Sequence, residues 1–198
     1  GGTDDETFEL MVNAVNDAPE LTAIGNQSME EDGVLSFALS SSDIDGGAPT
    51  YSASSDEPNV SADVDGNELT LTPVPDWNGT ANITVTVDDG SGGTDDATFE
   101  LMVNAVNDAP VLAEIGNQVI PEDGFLGITL SASDAEDDDL AYSVVSDNEY
   151  VSVLALEDQL TMWPDLDYNG SANITVTVDD GNGGTDNETF VLTVNPVN

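Results

Sequence analysis

The chain of 198 residues contains 41 acidic residues and no Lys, Arg or His, which gives a formal net charge of −41. Nucleic acids and anionic lipid surfaces are bound through cationic side chains, so this composition excludes a nucleic-acid binder and argues against a membrane-docking protein. The chain lacks Cys, which excludes disulfides and thiol chemistry. Because 38% of the residues are hydrophobic and many alternate with polar ones, we expect a folded protein rather than a disordered acidic one.

The sequence is built from one unit that repeats every 91 residues. The segment ANITVTVDDG occurs at 81–90 and again at 172–181, and the segment TFELMVNAVNDAP occurs at 7–19 and again at 98–110. Repetition at a fixed period without gaps predicts a tandem array of domains. We predict two complete units, 17–107 and 108–198. Residues 1–16 are then the closing strand of a preceding unit, and the chain is a segment of a longer repetitive protein.

Each unit is predicted to be all-β. In the first unit an extended opening segment is broken at Glu31-Asp32-Gly33, and a strand at 35–39 follows. A hairpin at 60–72 and a longer hairpin at 81–103 complete the unit, with apolar residues at every second position in their strands. About seven short strands without helical periodicity are typical of tandem Greek-key β-sandwiches of the cadherin or Ig type.

Acidic and amide residues collect in the loops between these strands. Since the chain has no cations, carboxylates that the fold brings together must face water or share a metal ion, because burying unpaired like charges is too costly. The loops of a sandwich lie at its two ends, where one unit meets the next. Six to eight oxygen ligands at such a joint suit Ca²⁺. The alternative left open is turn chemistry alone, since turns favour Asn, Asp and Gly.

The same loops resemble those of bacterial cadherin-like domains, which occur in tandem in very large surface adhesins. VNAVNDAP at 103–110 is similar to the cadherin linker DxNDNxP, and Asp43-Ile44-Asp45 is similar to the DxD motif of the following domain. The segment 166–169 is similar to LDRE, and 87–90 is similar to AxDxG. Glu31-Asp32 stands where cadherins place a glutamate after the first strand. The resemblance covers both units.

The resemblance implies that Ca²⁺ is bound at the joint by two sets of residues. The set from the first unit and the linker is Glu31 or Asp32, Asp76, Asn107 and Asp108. The set from the second unit is Asp134, Glu136 and Asp180. The corresponding positions at the other unit ends are Asn16, Asp17, Asp43, Asp45, Asp89, Glu122, Asp123 and Asp167. Because Asn104 and Asn107 stand where cadherins have aspartates, we expect fewer ions and a dissociation constant of about 0.1–1 mM, as in extracellular modules.

These features together predict an extracellular spacer at a cell surface, stiffened by Ca²⁺. Its partners would be neighbouring repeats, including a head-to-tail polymer joined through residues 1–16. The alternative is a carbohydrate-binding module that presents Trp163 to a polysaccharide, although the first unit has Thr72 at the equivalent position. Trp77 and Tyr168 are expected to cap the cores. Without His, Cys, Lys or Arg only carboxylates and hydroxyls could perform catalysis, and we predict that the protein is not an enzyme.

Overall fold

The computed structural model describes residues 1–197, which contain β-strands and no helix. The chain divides into two compact units, of which the first ends at Ala105 and the second begins at Val106. The predicted all-β class is therefore confirmed. Residues 1–197 include no helix that is long and apolar enough to cross a membrane.

Unit 1 contains two short strands and seven longer ones within its described residues. Its strands are β1 (Glu20–Leu21), β2 (Gln27–Glu30), β3 (Leu35–Ala38), β4 (Ser41–Ser42), β5 (Thr50–Ser55), β6 (Val60–Asp65), β7 (Glu68–Pro73), β8 (Gly79–Asp88) and β9 (Thr94–Asn104). A four-stranded sheet has the order β2-β9-β8-β5, and a three-stranded sheet has the order β3-β7-β6. β2 pairs parallel to β9, whereas the other pairs are antiparallel.

Unit 2 repeats this arrangement strand for strand. Its strands are β10 (Val111–Leu112), β11 (Gln118–Pro121), β12 (Leu126–Thr129), β13 (Ala132–Ser133), β14 (Ala141–Ser146), β15 (Val151–Leu156), β16 (Gln159–Pro164), β17 (Gly170–Asp179) and β18 (Thr185–Asn195). The four-stranded sheet is β11-β18-β17-β14 and the three-stranded sheet is β12-β16-β15. The short strands β10 and β13 pair with each other, as β1 and β4 do in unit 1.

The core of each unit lies between its two sheets and is formed by the predicted alternation. In β8, Ile83, Val85 and Val87 are fully buried, while the residues between them face outward. Leu69 and Leu71 approach from the other sheet and are also fully buried. Each such side chain contributes roughly 1.5–3 kcal/mol on burial. Trp77 and Tyr168 pack against the edges of the two cores, as expected.

Residues 1–19 form no strand within this chain. Phe8, Leu10 and Val12 are 89%, 74% and 82% exposed, so the segment does not fold back as an edge strand on unit 1. The same sequence at 98–104 lies in β9, where it pairs with β8. That residues 1–16 close a preceding sandwich stays a prediction.

Candidate metal centre

Each unit carries acidic residues at both ends of its long central strand. In unit 1, Asp76 lies three residues before β8 and Asp89 follows its last residue. A strand of this length spans about 33 Å at ~3.3 Å per residue. The two acidic groups of one unit therefore lie far apart. We call the group next to the residues that precede the first strand of a unit, 16–17 in unit 1 and 107–108 in unit 2, the linker-side cluster. The group before the long central strand is the far-side cluster.

The linker-side cluster of unit 2 centres on the loop that follows β13. One carboxylate oxygen from each of Asp134, Glu136 and Asp138 lies within 4.8 Å of the others. The backbone N–H groups of Glu136 and Asp138 donate to Asp134 Oδ1 at 3.1 and 3.2 Å, which curls the loop around that carboxylate. Its other oxygen, Asp134 Oδ2, is buried and has no hydrogen-bond partner among residues 1–197.

The linker residues reach this cluster through two hydrogen bonds. The backbone N–H of Asp108 donates to Glu136 Oε2 at 3.2 Å, and the side-chain amide of Asn107 donates to Asp180 Oδ2 at 2.8 Å. Unit 2 thus brings together the predicted residues Asn107, Asp108, Asp134, Glu136 and Asp180.

Asp180 is anchored in the turn between β17 and β18. It is only 4% exposed. Its Oδ1 accepts hydrogen bonds from the backbone N–H groups of Asn182, Gly183 and Gly184 at 2.7, 2.9 and 3.0 Å. The Asn107 amide, together with these N–H groups, lowers the pKa of Asp180 below its ordinary value of 3.8, because both favour the charged form.

Gly184 allows the linker to approach this turn. A Cβ atom on Gly184 would lie 2.7 Å from the Cα of Ala109, which is closer than real Cβ contacts come. The same holds in unit 1 for Gly93 and Ala18, again at 2.7 Å. The glycine before the Thr that ends each turn therefore makes room for the segment that precedes the first strand of each unit.

The linker-side cluster of unit 1 has the same framework with fewer acidic groups. Asn16 donates to Asp89 Oδ2 at 2.7 Å and lowers the pKa of that carboxyl. The Asp17 N–H donates to Asp45 Oδ2 at 2.7 Å, and the Asp45 N–H donates to Asp43 Oδ1 at 2.8 Å. The position equivalent to Asp138 is Gly47. Its φ of 152° is a conformation that L side chains rarely adopt, so this loop also takes a different path.

The far-side clusters are held mainly by turn hydrogen bonds. The Asp76 N–H donates to Asp32 Oδ1 at 3.3 Å, and the Asp167 N–H donates to Asp123 Oδ1 at 3.1 Å. All four of these aspartates have φ between 57° and 62°, a region that Asp tolerates better than most residues.

A glutamate accompanies each of these aspartate pairs. Glu31 is 2% exposed and its Oε2 accepts from the Asn78 amide at 3.4 Å. Glu122 Oε1 accepts from the Val197 N–H at 2.7 Å. Of the residues predicted for one joint, Glu31, Asp32 and Asp76 belong to unit 1 and the rest to unit 2. That they share an ion stays a prediction.

Sequence reasoning missed two members of the cluster in unit 2, Asp138 and Asn182. The Asn182 amide donates to Asp138 Oδ2 at 2.6 Å, which ties the β17–β18 turn to the acidic loop. The available signal was the spacing of acids at 134, 136 and 138, since alternate side chains of a short loop can face the same point. Comparison of the units alone does not reveal it, because unit 1 has Gly47 and Ser91 at these positions.

The family model of the bacterial Ig domain matches this chain twice, at residues 16–102 and 107–193. The chain belongs to the bacterial Ig domain family. The predicted tandem repetition is thereby confirmed. Bacterial Ig and cadherin-like domains are typically extracellular, non-enzymatic structural modules. No curated protein matches the chain.

The fold of the chain is similar to that of cadherin ectodomains of known structure. The chain is similar to human protocadherin-24 EC1-2, with 19% identity, a TM-score of 0.58 and coverage of 92% of this chain and 100% of that one. It is similar to human mucin-like protocadherin EC1-2, with 19% identity, a TM-score of 0.50 and coverage of 90% and 98%. It spans only 41% of the human desmocollin-1 ectodomain, with 18% identity, a TM-score of 0.50 and 90% of this chain covered. The cadherin-like fold expected from the linker and acidic motifs is thus confirmed.

Proposed function

We propose that the two bacterial Ig units are an extracellular spacer of a surface adhesin or filament, stiffened by Ca²⁺ that the unit ends bind. The observation that carries this proposal is the convergence of three carboxylates within 4.8 Å in unit 2. No side chain of the chain can neutralise them, because it contains no Lys, Arg or His. Even at the dielectric constant of water, each such pair of like charges costs on the order of 1 kcal/mol.

The donor set fits a hard cation. Asp134, Glu136 and Asp138 offer converging carboxylate oxygens. Asp180, which accepts a hydrogen bond from the Asn107 amide nitrogen, offers a further carboxylate in the same unit. Ca²⁺ accepts six to eight oxygen ligands in irregular geometry, whereas Zn²⁺ prefers nitrogen and sulfur ligands that this chain lacks. When the ion is bound, the Asn107 amide would turn its oxygen rather than its N–H groups towards the cluster.

Turn chemistry alone accounts for part of this cluster but not for all of it. The backbone N–H groups of the loop satisfy Asp134 Oδ1, as in an ordinary Asx turn. They leave Asp134 Oδ2 buried without a hydrogen bond in the described part of the chain. A buried carboxylate oxygen without a partner costs more than a turn gains, and a bound cation removes that cost.

Calorimetric melting of the full chain with Ca²⁺ and with EDTA tests the proposal. With a dissociation constant of about 0.1 mM, 10 mM Ca²⁺ should stabilise the loaded unit by about 2.7 kcal/mol. Mg²⁺ at the same concentration is the control, because it demands near-ideal octahedral geometry and should stabilise much less. Small-angle scattering should also show a longer, stiffer particle with Ca²⁺. Identical melting curves and identical scattering profiles would refute the proposal.

The alternative function as a carbohydrate-binding module depends on Trp163. Leu160 and Met162 are fully buried, and Trp163 on the same strand is 38% exposed, as expected for alternate residues. The residue opposite the indole on β15 is Ser152, and the next outward residue on that strand is Leu154, so only one of these two neighbours can hydrogen-bond a sugar hydroxyl. Binding sites for small ligands combine such a platform with several placed polar groups, so these surroundings favour a sugar less than the acidic loops favour a cation.

A further inference from the structure

A polar cavity with an aromatic wall lies on the surface of unit 2. Its volume is about 460 Å³ and it is open to solvent. Small-ligand sites occupy about 300–1,000 Å³, so the cavity is large enough to hold a small molecule. It is lined by the turn between β14 and β15 and by two outward residues of β17, namely Asp147, Asn148, Glu149, Tyr150, Ser171 and Asn173. We call it the Tyr150 cavity.

The aromatic wall is a tyrosine that a second tyrosine holds in place. The Tyr150 ring stacks on the Tyr168 ring, with centroids 5.5 Å apart and an angle of 17° between the planes. Tyr168 in turn packs against the core of unit 2. Tyr150 is nevertheless 50% exposed. Because one face of its ring lies against Tyr168, the opposite face supplies exposed apolar surface to a ligand.

Hydrogen bonds fix the groups around this ring. Asn148 Oδ1 accepts from the Tyr150 N–H at 3.0 Å, and the Asn148 amide donates to the Tyr168 hydroxyl. The Asp147 carboxylate accepts from the backbone N–H and the side-chain amide of Asn173 at 2.8 and 2.6 Å. The wall and floor of the cavity are therefore ordered before a ligand arrives, which reduces the entropy that binding costs.

Polar groups at the rim remain for a ligand. The Glu149 carboxylate and the hydroxyls of Tyr150 and Ser171 line the cavity, and the described part of the chain does not engage them in side-chain hydrogen bonds. Asn173 uses its N–H groups on Asp147, so its side-chain oxygen can still accept. The rim thus combines hydrogen-bond acceptors with hydroxyls that can donate or accept. An aromatic face flanked by such groups is complementary to a pyranose, which has C–H groups on its ring face and hydroxyls at its edge.

Unit 1 shows that the fold does not require the aromatic wall. Asp56 and Asn82 form the same pair as their counterparts in unit 2, with hydrogen bonds of 2.7 and 2.8 Å. Unit 1 has Pro58-Asn59 in place of Glu149-Tyr150, and the Asn59 amide donates within its own turn at 2.8 Å. The turn therefore forms without a tyrosine, and the exposed ring of unit 2 is available for binding.

We propose that the Tyr150 cavity binds a pyranose unit of a neutral polysaccharide, with the sugar ring stacked on Tyr150. The carboxylates of Asp147 and Glu149 and the net charge of −41 repel uronic acids and sulfated sugars. An ammonium ligand would use these carboxylates but not the hydroxyls of Tyr150 and Ser171. The inference goes beyond the spacer function and does not depend on calcium.

Titration calorimetry of the full chain tests this site. The probes are cellohexaose and mannohexaose, which are neutral, and hexagalacturonate, which is anionic. EDTA is present, so that the result is independent of any bound ion. We expect at least one neutral probe to bind at one site per chain, in unit 2, with a dissociation constant of about 0.1–1 mM, since one ring and a few hydrogen bonds hold it. Hexagalacturonate should not bind.

Four variants locate the site and identify its chemistry. Tyr150→Asn gives unit 2 the residue of unit 1 and should weaken binding about tenfold or more, because the stacking is lost. Tyr150→Phe keeps the ring and should bind within about threefold of wild type, since it loses at most one hydrogen bond. Glu149→Gln removes a charge but keeps an oxygen acceptor, and it should retain binding. Trp163→Thr should leave binding unchanged.

Circular dichroism confirms that each variant is folded. The proposal is overturned if neither neutral probe binds, or if Tyr150→Asn binds as tightly as wild type. It is also overturned if Trp163→Thr loses binding, which would place the sugar on the other sheet. Binding of tetramethylammonium that Glu149→Gln abolishes, without binding of a neutral probe, would show a cation site and would overturn it as well.

Discussion

The two units share one scaffold and differ at two surfaces. The central strands β8 and β17 carry the same sequence, ANITVTVD, from their third residue on, and their inward residues are fully or almost fully buried in both units. The sheets have the same order and the same register. Two of the sequence differences change the charge of a whole surface: the loop after the short fourth strand and the outward face of the three-stranded sheet. The core therefore specifies the fold, while loops and outward faces are free to carry separate functions.

The loop after the short fourth strand carries more acidic residues in unit 2 than in unit 1. Unit 2 has Asp134, Glu136 and Asp138, whereas unit 1 has Asp43, Asp45 and Gly47. The third carboxylate is what completes a group within 4.8 Å in unit 2. We therefore expect the linker-side cluster of unit 2 to bind Ca²⁺ more tightly than that of unit 1.

The largest expected effect is the loss of folding stability when a core side chain shared by both units is truncated. Ile83→Ala and Ile174→Ala remove the same side chain from the same fully buried position in the two units. Each should destabilise its own unit by about 2–5 kcal/mol, because it leaves a cavity in a closely packed core. Calorimetry should show one transition shifted down and the other unchanged. A shift of both transitions in either variant would show that the units do not melt independently.

We expect an intermediate effect on calcium affinity, and it should differ between the acidic loops of the two units. Asp134→Ala and Asp138→Ala should each lower the calcium affinity of the chain about tenfold or more, which corresponds to about 1.4 kcal/mol. Asp43→Ala, the unit 1 counterpart of Asp134, should lower it less. Asp65→Ala, at the end of β6 and outside every group of converging carboxylates in the described residues, should leave it unchanged. Titration calorimetry measures all four, and equal affinities would show that these residues are not ligands.

The smallest expected effect is the loss of folding stability at low pH. The folded state lowers the pKa of Asp89 and Asp180 below 3.8, with the Asn16 and Asn107 amides as the first cause. The stability that this provides is therefore fully present above the ordinary aspartate pKa and is lost as the pH falls through the folded value. Protonation also relieves the repulsion of a highly acidic chain, so the test must compare variants at each pH. Asn16→Ala and Asn107→Ala should differ from wild type at pH 6 and converge with it near pH 2. A difference independent of pH would refute this assignment.

Much of the architecture was predictable because alternation is a local property. Ile83, Val85 and Val87 point to one face in any strand that contains them, so their burial follows from spacing alone. The all-β class, the hairpins and the tandem units followed in the same way. The exposure of Trp163 also followed, since its neighbours Leu160 and Met162 face inward.

Convergence of the acidic loops could be predicted only in outline. Asp134 and Asp180 are far apart in sequence, and the family resemblance, rather than spacing, suggested that they meet. Asp138 was missed because its direction depends on the curl of the loop around Asp134, which backbone hydrogen bonds set. The two-residue strands β1 and β4 were also missed, since two residues are too few to show a period.

The segment TFELMVN shows most directly what sequence alone determines. It fixes the alternation of Phe, Leu and Val in both of its copies. At 98–104 it lies in β9, where Phe99, Leu101 and Val103 are buried, while at 7–13 it forms no strand and Phe8 is 89% exposed. The physical reason is that a strand satisfies its backbone N–H and C=O groups through its neighbours, here β8 and β2. Local sequence decided which side chains would face a core, and only the tertiary structure decided whether a core was there.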